Sequence, residues 1–130
     1  MSREQQSASF TGHKVLVVED EYFLADDISR ALRRAGAEVV GPFRDMADGQ
    51  AALEQTVDLS AAVLDVNLNG TMVFPLADAL LDREVPFVFT TGYDSGAIPT
   101  AYRAIRRCEK PIDADAVVRM LAECRSAQAE

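Results

Sequence analysis

Short, unbroken apolar runs alternate along this chain with stretches of helical period, and that alternation constrains the fold more than any other feature. Val15-Leu16-Val17-Val18 follows Lys14 and ends in Glu19-Asp20-Glu21. A run so short and so continuously apolar suits a strand buried on both faces, as in a parallel sheet. From Tyr22 the period changes. Phe23, Leu24, Asp27, Ile28, Ala31, Leu32 and Ala35 recur at helical spacing, with Gly36 placed as the C-cap.

The unit then repeats. Glu38-Val39-Val40-Gly41 reads as a second strand, and Asp45 as the cap of a helix through Ala51, Ala52, Leu53 and Gln55. Ala61-Ala62-Val63-Leu64 is a third strand, ending at Asp65. The Gly-containing loop Asn67-Leu68-Asn69-Gly70 leads into a helix of roughly Val73 to Arg83. Val85-Pro86-Phe87-Val88-Phe89 is a fourth strand, ending at Thr90-Thr91-Gly92. Ile105 to Glu109 is a weaker fifth, ending at Lys110-Pro111. Asp113 caps a last helix carrying Ala116, Val117, Met120, Leu121 and Cys124. Such alternation implies βαβ units, a parallel sheet and, through right-handed crossovers, helices on both faces. One unit is thin. Asp94 to Pro99 is turn-rich, which leaves only Thr100 to Ala104 for a fourth helix, expected to be short or poorly formed.

Residues 1–12 are polar, small and without period, and read as a flexible leader to a single domain over 13–126, with 127–130 as a tail. The net charge is −8, from 21 acidic and 13 basic residues. That balance argues against nucleic-acid binding, where basic patches supply most of the affinity. No stretch approaches the roughly 20 apolar residues of a membrane helix, and no signal peptide opens the chain, so a cytoplasmic protein is expected. Cys108, Cys124 and the lone His13 lack metal-type spacing, which leaves two reduced thiols.

The polar residues that interrupt the pattern gather in one place. Glu19 and Asp20 follow strand one, Asp65 ends strand three, Thr90 and Thr91 end strand four, and Lys110 ends strand five. In a parallel sheet those ends share one edge, where open α/β sheets bind their ligands. Three carboxylates so close must be relieved by protons or a cation. Hard oxygen ligands without His or Cys select magnesium, calcium or manganese, and an open carboxylate edge suits magnesium. Lys110 adds a mobile point charge able to pair with Asp65 or a phosphoryl group. A carboxylate in this setting can act as a nucleophile and form an acyl phosphate.

Taken together, Val17-Val18-Glu19-Asp20-Glu21, Leu64-Asp65-Val66-Asn67-Leu68, Thr91 and Lys110-Pro111 resemble the receiver domain of two-component response regulators, over about residues 14 to 125. The resemblance implies a flavodoxin-like (βα)5 fold with parallel strand order 2-1-3-4-5. It implies Asp65 as phosphoacceptor, Thr91 as hydroxyl switch, Lys110 as phosphate partner and a cis Lys110-Pro111 bond. For magnesium it implies Glu19, Asp20, Asp65 and the backbone carbonyl of Asn67. The partner would be a histidine kinase or phosphotransfer protein, and the protein would be a phosphoacceptor that assists its own phosphotransfer, not an independent enzyme.

The chain also departs from the common pattern. Asn69-Gly70 stands where many receivers have a proline, and Arg107 stands where a Tyr or Phe often serves as an aromatic switch. Arg107 is expected at the surface, paired with a carboxylate such as Asp94 or Glu109, and the segment Gly92 to Thr100 is expected to be the low-stability element that phosphorylation orders. Phe89-Thr90-Thr91-Gly92-Tyr93 is similar to the Phe-Ala-Thr-Gly-Tyr motif of a subgroup of often stand-alone receivers served by kinases of the HWE or related type. After Glu123 too few residues follow for a DNA-binding domain, so output is expected through a protein contact. Two rivals share the fold. An aspartate-nucleophile phosphatase of the haloacid dehalogenase type would want a second aspartate where Asn67 stands. A flavodoxin-like interaction module without covalent chemistry would need a pocket less hostile to phosphate.

Overall fold

The computed structural model describes residues 10–92 and 98–129. Strand β1 (Lys14–Val18) leads to helix α1 (Tyr22–Arg34), β2 (Glu38–Phe43), α2 (Met46–Gln55) and β3 (Leu59–Asp65). Two short strands, β4 (Asn67–Leu68) and β5 (Thr71–Met72), precede α3 (Phe74–Asp82) and β6 (Phe87–Thr91). A 3-10 turn at Thr100–Tyr102, β7 (Arg107–Glu109) and α4 (Ala114–Ala129) complete the chain. The main sheet is parallel throughout, in the order β2-β1-β3-β6-β7. Leaving aside the small β4-β5 pair, that is the order 2-1-3-4-5.

Alternation along the strands sorts the core into two layers, because successive side chains leave a strand on opposite faces. Val15, Val17, Ala61, Val63 and Val88 pack with Ile28 and Leu32 of α1 and Val117 and Leu121 of α4. Leu16, Val18, Ala62, Leu64, Phe87 and Phe89 pack with Ala52 and Leu53 of α2 and Leu76, Ala77 and Leu80 of α3. Each large side chain buried this way contributes about 1.5–3 kcal/mol.

Local chemistry ends these helices where the sequence suggests. After α1, Gly36 takes φ +97°, its N–H reaches Arg33 O at 2.9 Å, and Ala37 N–H reaches Leu32 O at 3.0 Å. That is a Schellman motif, and the left-handed residue at its centre favours glycine. Asp45 accepts from Asp48 N–H at 2.9 Å and Asp113 from Asp115 N–H at 3.0 Å, so both caps form. Among the described residues, the fourth connection holds the 3-10 turn and no α-helix.

Strand ends shift by about two residues from the sequence reading, and larger differences lie at both ends of the chain and after β3. Phe10, read as leader, is fully buried in the α1/α4 layer, and its N–H bonds Ala35 O at 2.8 Å. An aromatic ring that finds an apolar slot stays there whatever the polarity of its neighbours. The rest of the expected leader, residues 1–9, lies outside the described residues. Helix α4 runs to Ala129, through most of the segment read as tail. The third difference is the β4-β5 hairpin, read as a plain loop. Asn69 at φ +54° and Gly70 at φ +98° make the two-residue turn that Asn-Gly favours.

Cys108 and Cys124 are both free, and burial pushes both thiols up from the ordinary value. Cys108 Sγ lies 3.6 Å from Met120 Sδ, as a packing residue would. Two thiols are therefore expected to react with a chromogenic disulfide in denaturant without reductant. Finding none would contradict this.

Candidate functional site

Parallel pairing brings the carboxyl ends of β1, β3, β6 and β7 to one edge, and the polar residues read from the sequence meet there. Glu19 is fully buried and Asp65 nearly so, at 0% and 2% exposure, with Asp20 half-buried beside them. One carboxylate oxygen from each lies within 4.8 Å of the others. Lys110 Nζ sits among them, 3.2 Å from Glu19 Oε2, 3.2 Å from Asp65 Oδ2 and 2.6 Å from Glu21 Oε2. The Lys110-Pro111 bond is cis.

Electrostatics follow from that crowding. Burial first, then contact with Glu19 and its charge, push the Asp65 carboxyl up to about 6. Burial also raises Asp20, with Asp65 adding to the effect. For Lys110, burial acts to lower the ammonium, but the bond to Glu21 and the charges of Glu19 and Asp65 outweigh it and hold the lysine above its ordinary value. Two carboxylates about 4 Å apart repel by roughly 4 kcal/mol at an effective dielectric near 20. One lysine does not neutralise three buried or half-buried acids with Glu21 besides. The residues present therefore make an oxygen-only donor set with charge to spare, which fits a hard divalent cation.

The remaining residues take distinct places. Asn67 is exposed on β4, its N–H 3.2 Å from Asp65 Oδ1 and its side-chain oxygen 2.6 Å from Gly70 N. Its amide oxygen is thus occupied by the hairpin turn, and its backbone faces Asp65. Thr91 ends β6, buried, with its hydroxyl donating to Gly92 O at 3.1 Å and its carbonyl accepting from Lys110 N–H at 2.8 Å. The bond to Gly92 O turns its hydroxyl to the backbone and not to Asp65. Glu21 is exposed, yet among the described residues it makes the shortest contact to Lys110.

Sequence reasoning placed Thr90 at this edge without giving it a role, and it did not single out Tyr102. Thr90, paired with Asp65 across β3 and β6, donates its hydroxyl to Glu19 Oε1 at 2.9 Å with both groups fully buried. Tyr102, from the 3-10 turn, is buried against Phe74 (centroids 4.8 Å, stacked) and Phe89 (6.2 Å, edge-on). Its hydroxyl meets Asp78 Oδ1 at 2.5 Å, and that bond, with burial, pushes the phenol up to about 12. A large aromatic in a segment too short for a full helix was the signal for Tyr102. Arg107 is half-buried on β7 beside Phe89 and has no ion pair among the described residues; Asp94, offered as its partner, and most of the loop expected to order on phosphorylation lie outside them.

No family model and no curated protein matches the chain. Solved structures do. The solution structure of SdrG from Sphingomonas melonis Fr1 is 32% identical, with 94% of this chain and 98% of that one covered and a TM-score of 0.75. The BeF3-activated conformation of SdrG from Pseudomonas melonis Fr1 is 34% identical, over 84% of this chain and 92% of that one, at a TM-score of 0.69. The response regulator PhyR from Brucella abortus shares the fold at 22% identity and a TM-score of 0.77, with 99% of this chain matching 54% of that one. With a parallel sheet of this order, an acid cluster at its carboxyl edge and near-complete alignment to such relatives, the chain belongs to the receiver domains of response regulators.

Proposed function

We propose that this receiver accepts a phosphoryl group on Asp65 from a histidine kinase or phosphotransfer protein, with magnesium bound, and passes the signal on through a protein contact. The observation that carries the reading is the Asp65 carboxylate, nearly buried, bridged by Lys110 and crowded by Glu19 and Asp20. Glu19, Asp20, Asp65 and the carbonyl of Asn67 would hold the metal. When bound it supplies charge neutralisation around the transferring phosphoryl oxygens.

The chain's own residues account for the rest. With its carboxyl raised to about 6, Asp65 is mostly ionised at pH 7 and still a competent nucleophile. An Asp65 oxygen forms a bond to phosphorus as the donor's phosphorus–nitrogen bond breaks, and the electron pair returns to the histidine nitrogen. Lys110 stays charged and exchanges part of its carboxylate pairing for a phosphoryl oxygen. Thr91 swings its hydroxyl from Gly92 O to the same group, so its rotamer reports the modification. The Phe89-Thr90-Thr91-Gly92-Tyr93 run favours a kinase of the HWE or related type. The net charge of −8 favours a protein over a nucleic acid as the downstream partner.

Intact mass after incubation with magnesium and acetyl phosphate tests the reading: one added phosphoryl group, absent in Asp65→Asn, is expected. No addition to the wild-type chain from any phosphodonor would sink it. A second measurement checks the ligand set. Asp20→Ala is expected to weaken magnesium binding far more than Glu21→Ala, because Asp20 belongs to the carboxylate cluster with Glu19 and Asp65 whereas the exposed Glu21 does not. Equal losses in a calorimetric titration would assign the ligands wrongly.

A further inference from the structure

Among the described residues, Thr90 is the one buried polar residue at this edge to which the proposed chemistry gives no role. Its hydroxyl has a single acceptor, Glu19 Oε1, at 2.9 Å, inside the protein where neither group meets water. The other oxygen of Glu19 is the one that shares Lys110 with Asp65. Oε2 accepts from Glu21 N–H at 3.1 Å and from Lys110 Nζ at 3.2 Å, and the same Nζ is 3.2 Å from Asp65 Oδ2. Glu19 is therefore held in one orientation from both sides, with one oxygen turned into the sheet and one toward the cluster.

We infer that Thr90 is a positioning residue that restricts Glu19 to one-oxygen participation at the cation site and so makes the site prefer magnesium over calcium. The inference rests on the proposed metal site. Magnesium requires compact octahedral geometry and tolerates few carboxylate oxygens, whereas calcium takes 6–8 oxygens and gains from a carboxylate offering both. A Glu19 free to rotate would present Oε1 and Oε2 together beside Asp20 and Asp65. The Thr90 hydroxyl prevents that by keeping Oε1 as its acceptor, since pulling it away leaves a buried hydroxyl without a partner. The strand register Asp65↔Thr90 sets the hydroxyl at this depth.

The test is calorimetric titration of the metal-free protein with magnesium and, separately, calcium. Wild type, Thr90→Val and Thr90→Ser are compared. Valine keeps the shape and strand preference of threonine without the hydroxyl, and serine keeps the hydroxyl. The expected result is a fall of about 10-fold in the magnesium-to-calcium affinity ratio for Thr90→Val, the scale of hydrogen bonds that orient metal ligands. Thr90→Ser should restore most of the ratio. Thermal midpoints of the metal-free variants separate a general loss of packing, which would weaken both metals alike, and that outcome counts against the inference. A wild-type ratio retained in Thr90→Val overturns it while leaving the metal site standing. No magnesium binding by the wild type overturns the metal site itself and the inference with it.

Discussion

With EDTA in place of magnesium, Asp65 is expected to take up no measurable phosphoryl group from acetyl phosphate. Glu19, Asp20 and Asp65 already place three carboxylates within 4.8 Å, and an incoming phosphoryl group brings further negative oxygens to the same edge. Among the described residues Lys110 is the one cation paired with carboxylates of this cluster, and it is shared with Glu21. A divalent cation supplies several kcal/mol of charge stabilisation at such a centre, and about 4 kcal/mol corresponds to roughly a thousandfold in rate. Intact mass over a time course with and without chelator reads the effect. Labelling undiminished by EDTA would mean that Lys110 and backbone amides carry the phosphoryl charge alone.

The metal-free protein should also be stabilised by Asp65→Asn, and most strongly on the alkaline side of the Asp65 transition. The carboxyl is raised from 3.8 in the unfolded chain to about 6 in the fold, mainly by burial and then by Glu19. Between those values the folded state binds more protons than the unfolded state, so stability falls as pH rises across the window. Above it the full penalty persists, about 3 kcal/mol at most from a shift of this size. The amide removes the charge and leaves Lys110 with Glu19 and Glu21 as partners, so some of that gain is offset. Urea unfolding at pH 4.5 and pH 7.5 should show a small gain for Asp65→Asn at the lower pH and a gain of about 2 kcal/mol at the higher. Saturating magnesium should abolish the difference. A gain equal at both pH values would show that the carboxylate at position 65 carries no burden in the fold.

Much of this arrangement was legible before any coordinates. Val15 to Val18, Ala61 to Leu64 and Phe87 to Phe89 are continuous apolar runs because strands buried on both faces cannot alternate with polar residues. A polar residue that ends such a run must lie at the sheet edge, and parallel pairing puts Glu19, Asp20, Asp65, Thr91 and Lys110 on the same one. Asp45, Asp113 and Gly36 announced helix ends because capping is satisfied within a few residues of chain. These are local or periodic features, and the linear order carries them.

What lay beyond the linear order depends on which side chains face one another across strands and layers. No spacing rule joins Thr90 to Glu19, 71 residues away, or makes Glu21 the nearest partner of Lys110; register and rotamer decide both. Phe10 sits in a polar stretch whose composition argues for exposure, Tyr102 in a turn-rich one too short to define a buried helix face, and only the apolar slots formed by distant elements make burial the lower free-energy state. The sequence by itself determined the strand-helix alternation and the set of acids at the carboxyl edge, because hydrophobic period and strand ends are written in neighbouring residues. The tertiary structure alone decided how Glu19 is oriented, what Lys110 bridges and where Tyr102 packs, because those contacts exist only once the sheet has brought remote residues within hydrogen-bonding distance.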